Sequence, residues 1–373
     1  MIIDSHAHIF QDWTGPCGHP SREIHGKYVH KNVTRPSAKV LRARDGAPAD
    51  ARGLFRAGDN TWAGLREDAA FRVGPYGRLE YTVDGEEYYV QYMPVGMARI
   101  ECPPELMVAQ MAYAGVDHCV LQAGMSYGRM NDYNALAQHR YPDRFTGLCH
   151  VDEPVADTPA EMRELERAVR RLGLRGLYYN LDSFSRCGFG WPFDDRRFDA
   201  FWELVASLDL PVFIETPAIP DYDAASYVQN MARLDRLLTR FPRMRWLLAM
   251  GPPAGSFAAD GAWRFPEVVA QTYARENLSL EICFPIVWGG VWDYPYPEAQ
   301  RLIRGLRDRY GAEKLVWGSD MPNVERFCTY RQCRDYVLRH CDFLPAREKD
   351  LILGGNLAEL CRIGPRPRSE ELT

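Results

Sequence analysis

Short apolar runs alternate with amphipathic segments over most of the chain, and this alternation predicts its elements. From residue 103 onward, runs rich in Val, Ile, Leu and Phe are followed by stretches whose apolar residues recur every three to four positions. The first pattern indicates buried strands, and the second indicates helices that bury one face. With the run that opens the chain, the pattern predicts strands near residues 2, 117, 145, 174, 211, 244, 278 and 314.

Each predicted strand leads into a predicted helix, and these βα units define the fold class. One helix is marked at both ends, because Thr158 and Glu161 form a capping-box pattern and Gly173 ends the apolar stripe. Units of this number and length predict an α/β protein with a (β/α)8 TIM barrel, and an open doubly wound sheet is the alternative. The expected domain spans residues 1–363, followed by a polar tail at 364–373.

A long polar stretch separates the first predicted strand from the rest. Residues 11–98 are rich in Gly, Pro, Arg and His, and we expect them to be irregular. They are too polar to bury a core alone, so we interpret them as an insertion that covers the barrel mouth as a lid. Near its end, the runs 79–83 and 87–91 flank Asp84-Gly85, which predicts a β-hairpin.

Composition and charge narrow the classes of protein that fit. The 373 residues are 46% hydrophobic and carry a net charge of −5 with interspersed signs, so no nucleic-acid partner is expected. No apolar run approaches the length of a membrane span, and the first residues lack the basic stretch of a secretory signal. The ten cysteines include no Cys-x-x-Cys pair, which indicates reduced, buried thiols. These features predict a cytoplasmic protein with a small-molecule substrate.

The first candidate for chemistry is the pair His6 and His8 at the end of the first strand. Side chains alternate faces along a strand, so both imidazoles project to one side and can bind one divalent metal ion. In a barrel, the carboxyl ends of the strands form the active-site face, which is where this pair lies. A chance His-x-His pair is the competing interpretation.

Two carboxylates stand at the ends of later strands. Glu215 directly follows Val-Phe-Ile, and Asp320 lies in Gly-Ser-Asp-Met-Pro after the last strand. A carboxylate beside a buried strand is costly unless it meets a metal, a cation or hydrogen-bond donors. Both are therefore candidate metal ligands, and Asp320 is also a candidate general base. The alternatives are a surface glutamate and an aspartate that caps a turn or helix.

His150 and Glu281 are further candidates for acid–base catalysis. His150 ends the third strand, and Glu281 lies within the seventh. A hydrogen-bonded structural histidine and a glutamate paired with an arginine inside the barrel are the alternatives. His118 begins a strand, at the opposite end from the mouth, and is set aside. Three histidines of the insertion could reach the pocket, and the sequence leaves this open for His19, His25 and His30.

The loops after strands 4, 6 and 7 are unusually aromatic, which predicts an apolar pocket suited to a ring. The candidate substrate-binding residues in these loops and at the end of strand 4 are Tyr178, Asn180, Trp191, Trp288 and Trp292. Arg129 and Arg186 could hold a substrate carboxylate in a bidentate fork, and each is otherwise an ordinary exposed arginine.

Several segments, in family order, carry a resemblance. They are Ile-Asp-Ser-His-Ala-His at 3–8, Tyr-Pro-Asp-Arg-Phe at 141–145, Pro-Val-Phe-Ile at 211–214, Gly-Ser-Asp-Met-Pro at 318–322 and Gly-Asn-Leu-Ala at 355–358. Through them the chain resembles the amidohydrolase superfamily, in the branch of aminocarboxymuconate-semialdehyde decarboxylase, resorcylate-type decarboxylases and related hydrolases and hydratases. The resemblance implies a (β/α)8 barrel, one divalent metal ion such as Zn or Mn, and a homodimer.

The resemblance also implies specific roles for residues at the strand ends. The metal ligands it implies are His6, His8, a histidine on strand 5 and Asp320. This chain departs from the family twice, with Glu215 at the strand-5 position and Met250 in place of an acid–base histidine after strand 6. Glu215 can still bind a metal, and the more anionic set shifts the preference towards Mn or Fe. Met250 cannot transfer a proton, so another candidate acid–base group would have to do so.

These expectations lead to three hypotheses. The first is a metal-dependent hydrolase acting on a small, aromatic or unsaturated carboxylic acid derivative. The second is a non-oxidative decarboxylase on the same metal site. The third is a barrel that has lost its metal and acts as a cyclase, an isomerase or a binding protein.

Overall fold

Parallel strands alternate with helices in the computed structural model, as the apolar pattern predicts. The structure describes residues 1–33, 39–50, 54, 56, 59, 64–181, 184, 191–216, 224–283 and 293–364. The parallel strands are β1 (Ile3–Ala7), β2 (His118–Leu121), β3 (Phe145–Gly147), β4 (Leu177–Asn180), β5 (Val212–Glu215), β6 (Trp246–Ala249), β7 (Leu278–Ile282) and β8 (Leu315–Trp317). The prediction of a parallel α/β protein is confirmed.

The parallel strands form two sheets that follow the order of the chain. One sheet has the order β1-β2-β3, and the other has the order β4-β5-β6-β7-β8. An isolated parallel bridge between Cys149 and Leu177 links the end of β3 to β4. A second bridge, between Ala7 and Met321, links β1 to the segment after β8. The first strand of the chain therefore lies beside both the second and the last.

Helices follow the strands and pack around the sheets. The α-helices are Arg22–Val33, Pro104–Ala114, Asn131–Arg140, Pro159–Arg170, Asp199–Ser207, Ala224–Arg240, Ala254–Phe257, Glu267–Ala274, Pro297–Tyr310, Tyr330–His340, Ala346–Asp350 and Asn356–Cys361. Thr158 caps its helix as predicted, because its side chain accepts a hydrogen bond from the Glu161 N–H at 3.4 Å. None of the helices in the described part of the chain combines the length and apolarity that a membrane crossing needs.

The last predicted helix, 346–361, is divided in the structure by Leu351–Gly355. A Cβ atom added at Gly354 would lie 2.3 Å from the carbonyl oxygen of Met1. The close approach of the N-terminal backbone therefore requires glycine at this position. It also places the C-terminal helix against the start of β1.

Successive side chains of a strand point to opposite faces, so the buried apolar residues of the parallel strands form two clusters. One apolar cluster takes one residue from most of the parallel strands, together with the last helix: Ile3, Val120, Leu148, Tyr178, Phe213, Leu247, Val316, Leu357, Leu360 and Cys361. A larger cluster lies between strands and helices. Because positions two apart share a face, Asn180 lies on the same side as Tyr178, and Glu215 on the same side as Phe213.

The stretch 11–98 was predicted to be irregular, and this prediction is wrong for its described residues. It contains the helix Arg22–Val33 and a five-stranded antiparallel sheet. The strands are Val40–Arg42, Pro48–Ala49, Arg72–Val73, Arg78–Val83 and Glu86–Gln91. Three of them have only two or three residues, which is too short for a periodic signal to show.

The predicted hairpin is confirmed as the pairing of Arg78–Val83 with Glu86–Gln91. Its turn residues Asp84 and Gly85 both have positive φ, at 52° and 79°. Two consecutive left-handed residues give the type I′ geometry that matches the twist of the flanking strands.

Replacing Gly85 by Ala should lower stability by about 1 kcal/mol, because a Cβ is strained in the left-handed region. No atom lies within 4 Å of the added Cβ, so backbone strain is the whole expected effect. The urea midpoint measures it. Gly96→Ala is the matched control, since its Cβ also meets no atom within 4 Å and no positive φ applies there. Equal midpoints for the two variants would contradict the prediction.

Candidate metal centre

An irregularity in β1 turns two adjacent residues toward the same carboxylate. Asp4 pairs with Cys119 and Ala7 pairs with Leu121, so three steps on β1 match two steps on β2. This is the register of a β-bulge, which re-aims side chains near functional sites. As a result, the Ser5 hydroxyl and the His6 ring both hydrogen-bond Glu281.

His6, His8 and Asp320 form the centre of the site. The Nε2 atom of His8 lies 2.9 Å from Asp320 Oδ1, and the Nε2 atom of His6 lies 3.8 Å from it. All three residues are buried, and their ligand atoms lie within 4.8 Å of one another. The structure thus brings the two imidazoles together with Asp320.

The other ring nitrogen of each histidine has its own acceptor. His6 Nδ1 lies 2.8 Å from Glu281 Oε2, and His8 Nδ1 lies 2.9 Å from the carbonyl oxygen of Gln122. A carbonyl oxygen can only accept, so His8 carries a proton on Nδ1, and its Nε2 is the atom that faces Asp320. Metal-binding histidines are commonly oriented by such Nδ1–H contacts. The donor set thus fits a divalent ion.

The backbone of Asp320 is held in an unusual conformation. Its φ is 62°, in the left-handed region that non-glycine residues rarely adopt. Asn323 Nδ2 donates to Asp320 Oδ1 at 2.9 Å. Burial raises the pKa of Asp320, but the hydrogen bond from His8 and the charges of both histidines lower it more, so its pKa lies below the ordinary value. The carboxylate is therefore available as an anionic ligand.

Glu215 lies next to this centre but outside the three-residue cluster. It pairs in register with Asn180 on the adjacent strand, and Asn180 Nδ2 donates to Glu215 Oε2 at 3.0 Å. The Tyr178 hydroxyl donates to the same oxygen. The predicted site residues Tyr178, Asn180 and Glu215 thus form one hydrogen-bonded group.

Glu281 is fully buried and is surrounded by donors. It accepts from Ser5 and His6, and from the backbone N–H of Met250 at 2.5 Å. Its described partners are thus not the arginine that the alternative interpretation required. Met250, which has a positive φ of 65°, contributes its backbone to the site.

The negative charges of the neighbouring carboxylates change the pKa of His6. Burial lowers the pKa of the His6 imidazole, but Glu281, Asp320 and Glu215 together raise it more, to about 9. With this pKa the imidazole carries a second proton at neutral pH, and a divalent ion bound at Nε2 would replace that proton as the neighbouring positive charge.

The buried carboxylate of Asp4 links β1 to the segment that follows β8. Its carboxylate accepts from the backbone N–H groups of His6 at 3.0 Å and Ser319 at 2.9 Å. It also accepts from the hydroxyls of Ser319 and Tyr330 at 2.5 and 2.7 Å. The neighbours of two proposed metal ligands, His6 and Asp320, are therefore tied to one group.

Tyr127 and Asn323 were not predicted as site residues. The Tyr127 ring stacks on His8 with a centroid distance of 4.4 Å, and Asn323 Nδ2 donates to the Tyr127 hydroxyl at 2.7 Å. Burial raises the pKa of Tyr127 well above its usual value, so the phenol stays protonated. Asn323 lies three residues after Asp320 and could have been suspected, whereas nothing in the sequence marks Tyr127.

The structure places His150 and Arg129 in polar contacts with other residues of the chain. His150 Nε2 accepts from the backbone N–H of Met130 at 2.9 Å, and no partner for its Nδ1 is found among the described residues. Arg129 forms a bidentate pair with Glu161, with N–O distances of 2.8 and 3.1 Å. The guanidinium fork predicted for a substrate thus already holds a carboxylate of the chain.

Two histidines of the insertion form hydrogen bonds with backbone carbonyl oxygens of the loop after β2. His19 Nε2 lies 3.1 Å from the carbonyl oxygen of Met125, and His25 Nε2 lies 3.0 Å from that of Ser126. His30 instead stacks on Phe71, with a centroid distance of 4.4 Å. These contacts place this part of the insertion against the loop that carries Tyr127.

The remaining predicted residues give a mixed picture. Arg186, Trp288 and Trp292 lie outside the described residues. Trp191 is half-buried, and the Arg197 guanidinium lies 3.9 Å from the centroid of its ring.

Comparison with known proteins supplies the family. The model of the amidohydrolase family matches residues 3–363, so the chain belongs to this family. It is 26% identical over 233 residues to an L-fucono-1,5-lactonase from Burkholderia ambifaria, covering 59% of this chain and 71% of the relative. It is 31% identical over 241 residues to a 2-keto-4-carboxy-3-hexenedioate hydratase from Sphingobium sp., covering 61% and 67%.

A solved structure shares the fold. It is a probable 2-pyrone-4,6-dicarboxylic acid hydrolase from Acinetobacter baumannii, with a TM-score of 0.53 and 20% identity. The match covers 70% of this chain and 90% of that one. Members of the amidohydrolase superfamily use a divalent metal ion, which agrees with the donor set described above.

Glu281→Gln should weaken metal binding about 10- to 100-fold, because His6 Nδ1 loses its charged acceptor. Competition with a chromogenic chelator measures the affinity for Zn. Glu161→Gln is a matched control, because Glu161 is also buried but pairs with Arg129 away from the centre. An unchanged affinity in Glu281→Gln would show that Glu281 does not support the metal site.

Acid should destabilise the protein partly through His150. Burial lowers the pKa of this imidazole to about 3. The unfolded chain therefore binds a proton that the folded chain does not, and stability falls as the pH drops below about 6.5. Between about pH 7.5 and pH 5 this group should account for roughly 2 kcal/mol.

His150→Gln should remove that part of the pH dependence, measured as the change in the free energy of unfolding between the two pH values. The exposed His139, changed to Gln, is the control. A pH dependence as steep in His150→Gln as in the parent protein would overturn the assignment.

Proposed function

We propose that this protein is a metal-dependent hydrolase that cleaves a lactone or ester bond of a small substrate. The observation that carries the proposal is the arrangement of His6 and His8. Both Nε2 atoms face Asp320, while both Nδ1 atoms are held by other acceptors. Such an arrangement brings two imidazole Nε2 atoms and one carboxylate together at one point.

The proposal includes a closed (β/α)8 barrel formed by residues 1–363 as one domain. Its support is the order of the strands, with bridges that join β3 to β4 and β1 to the segment after β8. The stretch 11–98 is then an insertion at the carboxyl end of the barrel. His19 and His25, which bond the loop after β2, support this placement.

We assign His6, His8 and Asp320 as metal ligands, with Glu215 as a further ligand or as a partner of bound water. Zn and Mn are the ions that this set of imidazoles and carboxylates suits best. When bound, such an ion polarises a substrate carbonyl and lowers the pKa of water at the site.

The chain's own residues supply the remaining steps. Asp320 uses Oδ1 to accept from His8 and Asn323, and we assign its Oδ2 to take the proton of the attacking water. The Tyr127 hydroxyl accepts from Asn323, and no acceptor for its own proton is found among the described residues. We assign the Tyr127 O–H as a hydrogen-bond donor to a substrate oxygen, and Asp320 returns the proton taken from water to the leaving oxygen. Hydrolysis on this site does not require an imidazole at the position of Met250.

Decarboxylation is the second candidate, and Met250 is the observation that favours it. A thioether cannot move a proton, and loss of CO2 from a bound carboxylate needs no base to activate water. A proton must take the place of CO2 on the product carbon, and we assign the Tyr127 hydroxyl as its donor. Release of CO2, rather than uptake of water into the product, would support this candidate over hydrolysis.

Metal analysis tests the proposal directly. Protein purified without chelators should contain about one Zn or Mn per chain, and the His6→Ala/His8→Ala variant should contain almost none. Asp320→Asn should lower the rate of lactone hydrolysis about 100-fold or more. Gly96→Ala serves as a control remote from the centre. A folded parent protein that stays metal-free after addition of Zn or Mn would overturn the proposal.

A further inference from the structure

We propose a second metal-binding site, formed by His6, Glu281 and Cys283 and selective for ions that prefer sulfur. It shares His6 with the centre described above, but it does not depend on the proposed hydrolysis. A ligand atom from each of the three buried residues lies within 4.8 Å of the ligand atoms of the other two.

Strand alternation places the thiol beside the carboxylate. Cys283 directly follows β7 and lies two residues after Glu281, so the two side chains point to the same side of the strand. The intervening Ile282 belongs to the apolar cluster between strands and helices. Cys283 therefore points away from the helices, to the side where His6 and Glu281 meet.

The ligands of this second site are buried and held in place. Glu281 accepts hydrogen bonds from the Ser5 hydroxyl and from the backbone N–H of Met250, the latter at 2.5 Å. The exposed fraction is 2% for His6 and 0% for both Glu281 and Cys283. Buried ligands that other residues orient lose little freedom when an ion binds.

His6 presents a different nitrogen to each site. Its Nδ1 lies 2.8 Å from Glu281 Oε2, whereas its Nε2 lies 3.8 Å from Asp320 Oδ1. We assign Nδ1 to the second site. Two ligand atoms bound about 2.0 Å from one tetrahedral ion lie about 3.3 Å apart, so this pair has to open by only about 0.5 Å.

The kinds of ligand atom give the two sites different selectivities. Two imidazoles and a carboxylate suit Zn or Mn, whereas a thiolate favours softer ions and disfavours Mn. Once the thiol is ionised, Cys283 and Glu281 carry two negative charges, which balance the charge of a divalent ion. The buried complex therefore needs no further counter-charge.

Binding at the second site releases protons and takes His6 away from the first site. The ion replaces the thiol proton and the proton that His6 Nδ1 shares with Glu281, and both protons pass to the solvent. The neutral ring then keeps its proton on Nε2, the atom that faces Asp320. A protonated ring nitrogen has no lone pair for a metal, so sulfur-preferring ions should displace the first ion.

Cadmium titration tests the second site directly, because a cadmium–thiolate bond gives a charge-transfer absorption band in the ultraviolet. Addition of saturating Cd²⁺ to the full-length, Mn²⁺-loaded protein should produce this band, and Cys283→Ser should lose it. Cys149→Ser is the matched control, since Cys149 is also a buried thiol shortly after a parallel strand. Cys333→Ser is a second control, because Cys333 contacts Cys328 and the two could bind cadmium as a pair. Both controls should keep the band.

Opposite losses in two variants separate the second site from the first. His8→Ala removes a ligand of the first site only, so it should weaken Mn²⁺ binding at least about 100-fold and keep the cadmium band. Cys283→Ser should bind Mn²⁺ as tightly as the parent protein, measured from the electron paramagnetic resonance signal of free Mn²⁺. Retained Mn²⁺ binding also shows that this variant is folded.

The result for the second site is independent of the result for hydrolysis. If no ester is hydrolysed but the opposite losses are observed, the proposed function fails and the second site stands. A band of equal strength in Cys283→Ser and in the parent protein would overturn the inference. A parent protein without the band at saturating Cd²⁺ would overturn it as well.

Discussion

The carboxylate of Asp4 joins the beginning and the end of the parallel strands. It accepts hydrogen bonds from the backbone of β1 and from Ser319 and Tyr330, which are more than 300 residues away along the chain. His6 lies two residues from Asp4, and Asp320 lies one residue from Ser319. The geometry of the proposed ligands therefore depends on this buried group, which has donors on every side.

Glu281 has the corresponding role on the other side of β1. Its carboxylate accepts hydrogen bonds from Ser5, His6 and the backbone N–H of Met250. These bonds connect β7 to β1 and to the residue that follows β6. A buried carboxylate is costly without donors, and these three groups supply them. A Cβ at Gly318 would lie 2.8 Å from Glu281 Oε1 and 2.6 Å from the Ser5 hydroxyl oxygen. Glycine at 318 thus allows this packing.

Much of the fold and part of the site could be predicted from the sequence. The alternation of apolar runs and amphipathic stretches located every parallel strand, and position at a strand end marked His6, His8 and Asp320. The partners of these residues could not be predicted, because Glu281, Gln122 and Asn323 meet them only through folding. The antiparallel sheet in the insertion escaped prediction because most of its strands are too short to show a period. The bulge in β1 gives no sequence signal.

The position of β1 between β2 and β8 also has a consequence for how the protein is made. His6 and His8 are synthesised more than 300 residues before β8 and before Asp320, which follows that strand. Pairing of elements so far apart in sequence forms late, because the loop-closure entropy must be overcome first. A nascent chain, or a product truncated before β8, would therefore carry His6 and His8 but not the complete set of proposed ligands. The proposed metal site would be complete only after Asp320 had been synthesised and β1 had paired with the segment after β8.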